Sequence, residues 1–298
     1  MTTAPTKTLA VAAGWLAVVL GLAVLLPSSP AAAAPRLVAY ASVAPVAFLV
    51  QRVGGDRVQA RSLLRPGQEP HGFEPTPRQV ARLGEARVYF SIGLPFEAAM
   101  LRRLQAANPG LRVVAADAGI HRRSADGHHP DPHIWLSPTL AARLAANIAA
   151  GLTAVDPAGR SAYQAGLAAL TRELKQVRRD IARRLARFKG RSVLVYHPAF
   201  GYFLGEFGLK QIAVQNQGKE PGPRGLARLI DQARRQGIRV IFVQAQFPTA
   251  TAHALARATG ARVAALDPLA ADYLANLKRM AEHIAAGLGR RSPAEGRP

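Results

Sequence analysis

The chain of 298 residues reads as an α/β protein, with two lobes on parallel sheets joined by one long helix. Three observations predict this. Short apolar strands alternate with amphipathic helical stretches in both halves, the pattern of parallel sheets covered by helices. Between the halves, Tyr163, Leu167, Leu170, Leu174, Val177, Ile181, Leu185 and Phe188 recur at helical spacing. Residues able to hold a metal fall beyond the carboxyl ends of expected strands, where open α/β sheets bind ligands.

The elements follow in order. Arg36 to Ala41 is an expected strand, Pro45 to Val53 a helix ended by Gly54-Gly55, and Val58 to Leu64 a second strand. Thr76-Pro77 opens a helix, since Thr caps well and Pro suits the first helical position. Arg87 to Ile92 is a strand, Phe96 to Ala107 a helix, and Arg112 to Ala115 a strand. After the polar stretch Asp117 to Pro130, helix resumes from Pro138 to Val155. The long helix then runs from Asp156-Pro157 to Lys189-Gly190, about 45 Å at 1.5 Å per residue. The second half gives strands at Ser192 to Tyr196, Gln211 to Val214, Val240 to Gln244 and Arg262 to Leu266. Its helices are Arg224 to Gln236, Thr249 to Thr259 and Leu269 to Leu288. The expected domains are a lobe over 35–155, a linking helix over 156–189, a lobe over 190–288 and a disordered tail over 289–298.

Lys7, the apolar run Leu9 to Leu26 and the small residues Ala31 to Ala34 are the parts of a secretory signal over 1–34, expected to be cleaved near Ala33 or Ala34 into a periplasmic protein, with an uncut membrane anchor as the alternative. There is no cysteine, which leaves no thiol for disulfides, thiolate zinc sites or catalysis. The net charge of +21 raises nucleic acid as a partner. Nine Lys or Arg fall between Thr171 and Arg191, mainly off the apolar stripe. No stacking aromatics accompany them, so the expected reading is a solvated helix face and no nucleic-acid partner.

Three turn-like motifs carry one histidine each: Pro70-His71-Gly72-Phe73-Glu74-Pro75-Thr76-Pro77, Asp131-Pro132-His133-Ile134-Trp135-Leu136-Ser137-Pro138 and Tyr196-His197-Pro198-Ala199-Phe200-Gly201-Tyr202-Phe203. Three converging imidazoles favour zinc or its transition-metal neighbours over calcium or magnesium. Asp267 follows the last strand, and Asp-Pro there also reads as a helix cap. His121, His128 and His129 lie in the polar stretch, where they either pre-load metal or simply face solvent as a short polar tract.

These motifs, with Ala41-Ser42-Val43-Ala44-Pro45, Gly54-Gly55-Asp56-Arg57-Val58, Gly218-Lys219-Glu220-Pro221 and Leu266-Asp267-Pro268-Leu269 in the same order, resemble the metal-specific solute-binding proteins of bacterial ABC importers, in the zinc branch. The resemblance covers Leu37 to Leu288. It implies two Rossmann-like lobes, a rigid helix between them, and one Zn²⁺ in the cleft held by His71, His133, His197 and Asp267. It further implies a monomer that delivers zinc to a membrane permease driven by a separate ATPase. The His-containing loop is shorter than the family often has, which argues against a metal-donating role. Histidine ligation predicts affinity that falls below about pH 6.5.

Other readings remain. Mn²⁺ or Fe²⁺ uptake uses the same fold, although a histidine at the third motif separates this chain from the manganese branch. A zinc hydrolase needs a base, and the chain has no His-Glu-x-x-His helix; Glu74 is the nearest acid and reads as structural. A third reading is an adhesin that uses the basic face. No enzymatic activity is expected.

Overall fold

The computed structural model describes residues 36–124, 130–215, 219–247 and 250–289. The expected signal segment, His128, His129 and the tail from Arg290 lie outside the described residues. Strands β1 (Leu37–Ala41), β2 (Val58–Ser62), β3 (Val88–Ser91) and β4 (Arg112–Ala115) form one sheet in the order β2-β1-β3-β4. Strands β5 (Ser192–Val195), β6 (Lys210–Ala213), β7 (Val240–Val243) and β8 (Arg262–Ala265) form a second in the order β6-β5-β7-β8. Every pairing is parallel, with Leu37 opposite Val58 and Ser192 opposite Lys210. In each sheet the strand order reverses between the first and third strands, which opens a crevice at their carboxyl ends.

The helices are α1 (Ala44–Gly54), α2 (Pro77–Leu83), α3 (Glu97–Ala107), α4 (Pro138–Val155), α5 (Arg160–Leu185), α6 (Gly201–Glu206), α7 (Pro223–Arg235), α8 (Ala250–Thr259) and α9 (Tyr273–Gly289). Their starts follow local chemistry. Thr76 accepts from Gln79 N, and Gln79 reaches back to Thr76 N in a complete capping box before Pro77. Ser137 caps α4 by accepting from Leu140 N at 3.1 Å.

The linking helix spans 26 residues as α5, bounded by single 3₁₀ turns at Pro157–Gly159 and Ala186–Phe188. Its stripe is buried at Tyr163, Leu170, Leu174, Val177, Ile181 and Leu185. It packs against α1, α4 and α9, so one apolar core runs along it from lobe to lobe. Gly166 permits the close approach to α1, since a Cβ there would stand 2.4 Å from the Val53 carbonyl oxygen. The arginines on the outer face pair with acids: Arg178 with Glu206, Arg183 with Asp180 and Arg184 with Glu282. A solvated, ion-paired face is what the sequence pattern predicts.

Differences from expectation include one helix start and one whole helix. The final helix starts at Tyr273 rather than Leu269, because Asp267 Oδ1 accepts from Leu269 N at 2.8 Å and holds a turn ahead of it. Helix α6 was not expected: Gly201 and Gly205 dilute its helical pattern. It carries Phe203 and Leu204 into the core.

Polar contacts tie the lobes together beside the crevice. Trp135 Nε1 donates to Pro268 O at 2.8 Å, and Tyr273 Oη donates to Trp135 O. Tyr202 Oη accepts from Arg123 N at 2.9 Å and donates to Asp131 O at 3.1 Å. Glu206 accepts from Ser137 Oγ, from Thr139 Oγ1 at 2.6 Å and from Arg178 Nε at 2.7 Å. Together with the spine helix, these contacts favour small rearrangements over wide hinge opening.

Candidate metal centre

Each histidine reaches the crevice on a different segment. The turn after β5 presents His197. Its backbone is clamped by Gln244 beyond β7: His197 N donates to Gln244 Oε1 at 3.4 Å, and Gln244 Nε2 donates to His197 O at 3.0 Å. His133 precedes the 3₁₀ turn Ile134–Leu136 that leads to α4. The loop between β2 and α2 carries His71, where Glu69 accepts from His71 N at 2.7 Å and from Gly72 N at 2.8 Å. Phe73 anchors that loop in the core, with its ring centroid 5.0 Å from Phe96.

The structure brings these three rings together. One nitrogen from each of His71, His133 and His197 lies within 4.8 Å of the other two. The His71 and His197 Nε2 atoms are 3.1 Å apart. Two zinc–nitrogen bonds of about 2.0–2.1 Å at a tetrahedral angle place their nitrogens roughly 3.3 Å apart. The enclosed cavity is about 10 Å³, room for one water-sized occupant. Its walls include Trp135, Gln246, Phe247 and Pro268, and the Phe247 ring stacks on His197 at 4.6 Å.

Partners on the far ring nitrogens set the tautomers. Asp131, itself buried, accepts from His133 Nδ1 at 2.8 Å and from His133 N at 3.0 Å. Gln215 Oε1 accepts from His197 Nδ1 at 3.2 Å. Both rings therefore carry their proton on Nδ1 and present a lone pair at Nε2. A carboxylate or amide behind a histidine orients it as a ligand and raises its basicity.

The surroundings disfavour the protonated form of His197 and of His71. Burial, then the neighbouring His133 and His71, lowers the His197 pKa to about 3, against a small opposing effect of Gln215. His71 is also lowered, by burial of its ring and by His133, with Glu69 and Asp131 opposing. As a residue His71 is exposed, yet its Nε2 faces inward onto His197. For His197, proton competition therefore sets in below the ordinary histidine range.

Asp267 is not part of the three-histidine cluster. Its carboxylate is solvent-exposed and engaged with Leu269 N, while the adjoining Pro268 and Leu269 line the cavity. His121 is exposed and lines a separate cleft with Arg122, Arg123, Tyr202 and Glu206. Asp131, Gln215, Gln244, Gln246 and Phe247 were given no role by the sequence reading. Only Asp131 left a signal, as an acid two positions before a histidine.

A family model described as ZnuA, zinc-uptake complex component A, periplasmic, matches residues 39–287. Among curated proteins, the zinc-binding lipoprotein AdcA of Streptococcus pneumoniae is 27% identical over 242 residues, covering 76% of this chain and 48% of that protein. The chain thus spans about half the length of the first curated relatives it matches. A crystal structure of ZnuA superposes with a TM-score of 0.82 at 38% identity, covering 85% of this chain and 99% of that one. The laminin-binding protein Lmb of Streptococcus agalactiae, described as a bifunctional adhesin and metal transporter, superposes with a TM-score of 0.78 at 28% identity over 85% of this chain and 100% of that one.

Proposed function

Because this chain belongs to the ZnuA family of periplasmic zinc-uptake components, we propose that it captures one Zn²⁺ on His71, His133 and His197 and delivers it to an ABC permease driven by a separate ATPase. The observation that carries this is the small, walled cavity onto which three imidazoles converge. A zinc ion must shed water to enter it, and the imidazole nitrogens replace that water. Zinc is the cargo, so the site needs only to hold and release it. Asp267 adjoins the cavity-lining Pro268 and Leu269, and its negative charge favours a dication nearby. The resemblance gives it the further role of fourth ligand. Export by the segment 1–34, a periplasmic location and a monomeric state belong to the same proposal.

Competition titration of zinc against manganese, repeated from pH 7 to pH 5, tests this. One zinc per chain is expected, bound more tightly than manganese, as nitrogen donors and the Irving–Williams order require. Three histidines titrating near 6.5 would each weaken binding by about 25-fold over that range. His197 stays neutral throughout, because its pKa is lowered to about 3. The measured loss should therefore fall short of the full threefold product by at least one such factor. Preference for manganese would contradict the zinc reading.

A further inference from the structure

Tyr202 stands on α6 in the second lobe, yet both partners of its hydroxyl belong to the first lobe. Arg123 and Asp131 are paired there through one backbone hydrogen bond, from Asp131 N to Arg123 O at 2.9 Å. An antiparallel pair of this kind ordinarily closes with a second bond, from Arg123 N to Asp131 O. Here the Tyr202 hydroxyl takes that place: it accepts from Arg123 N at 2.9 Å and donates to Asp131 O at 3.1 Å. The Arg123 guanidinium lies over the Tyr202 ring, 5.7 Å from its centroid. Gly201 leaves it room, since a Cβ there would stand 2.5 Å from Arg123 Nη1. Arg123 Nε is 3.8 Å from Asp131 Oδ2. Asp131 is 1% exposed, and a buried carboxylate needs a cation or donors to offset its lost hydration. Arg123 supplies the cation at Oδ2, which leaves Oδ1 for His133 Nδ1 at 2.8 Å and His133 N at 3.0 Å.

We infer that Arg123 and Tyr202 are positioning residues for His133: they fix Asp131, and Asp131 aims the ring. This rests on the reading of the three-histidine cluster as a zinc site. The aim of a histidine on the first lobe then depends on a hydroxyl from the second. Parting the lobes at Tyr202 loosens His133, so zinc release can be triggered from beside the crevice rather than from within it.

Zinc affinity against a chelator, the rate of zinc release to it and the visible spectrum of the Co²⁺-loaded protein are measured for Tyr202→Phe, Arg123→Gln, Asp131→Asn, the double variant of the last two, Thr139→Val and His133→Ala. Asp131→Asn should weaken zinc by about tenfold or more, as changes behind a histidine ligand do. Tyr202→Phe and Arg123→Gln should each weaken it by at least about threefold, near the low end for residues sharing one hydrogen-bond network, with faster release and an altered Co²⁺ spectrum. The double variant should bind no more weakly than Asp131→Asn alone, because Arg123 acts through that carboxylate. Thr139→Val removes a different contact between the lobes, to Glu206 at 2.6 Å, and should leave zinc affinity unchanged. Wild-type affinity and release in both Tyr202→Phe and Arg123→Gln overturns the inference, as does an additive double variant or an equal loss of zinc in Thr139→Val. Wild-type zinc binding by His133→Ala would instead remove the underlying site reading.

Discussion

His197→Ala is expected to lose its zinc, with affinity falling by more than roughly 100-fold, the upper range for changes behind a ligand. The expectation follows from how the residue is held. His197 sits at the carboxyl end of β5, 5% exposed, its ring stacked on Phe247 and its backbone clamped on both sides by Gln244. Alanine keeps the backbone clamp, so the turn remains in place and only the imidazole is lost. His71 then has no partner nitrogen at 3.1 Å, and His133 cannot hold a dication with it at comparable strength. Zinc per chain, measured after dialysis against a competing chelator, should drop from one to near zero while the circular dichroism stays native. Zinc retained at wild-type strength would show that the cluster is not the capture site.

Trp135→Ala is expected to give the largest loss of stability. Trp135 is fully buried and among the largest such side chains. Its ring lies 5.3 Å from His133, and its Nε1 donates across the lobes to Pro268 O. Removing a buried Trp costs about 3–5 kcal/mol, and the Pro268 carbonyl also loses its donor. For a chain of this size that lowers the melting temperature by roughly 10 °C. Trp135→Phe should recover most of the packing but not the hydrogen bond, and melt between the two. Thermal unfolding of the metal-free proteins checks this, and a Trp135→Ala protein that melts like wild type would contradict it.

Much of the fold could be read from local chemistry. The capping box at Thr76, Pro77 and Gln79 sits where a Thr-Pro pair predicts a helix start. The stripe from Tyr163 to Leu185 is buried as its spacing predicts. Helix α6 was not legible because Gly201 and Gly205 weaken a six-residue pattern that tertiary packing rescues. In the site, the three histidines stood out because each sits in a Pro- or Gly-marked turn. The residues that orient them did not. Gln215 and Gln244 are amides on two loops, and an amide acquires meaning only from what it faces. Asp267 carried two readings in sequence, turn-former and ligand. The structure shows the first, with its Oδ1 accepting from Leu269 N.

The central claim is that His71, His133 and His197 surround one zinc ion. X-ray absorption at the zinc edge of the loaded protein tests it most directly. The account predicts about three imidazole nitrogens at about 2.0–2.1 Å with one oxygen completing the shell. A shell dominated by oxygen, with one imidazole or none, would contradict it.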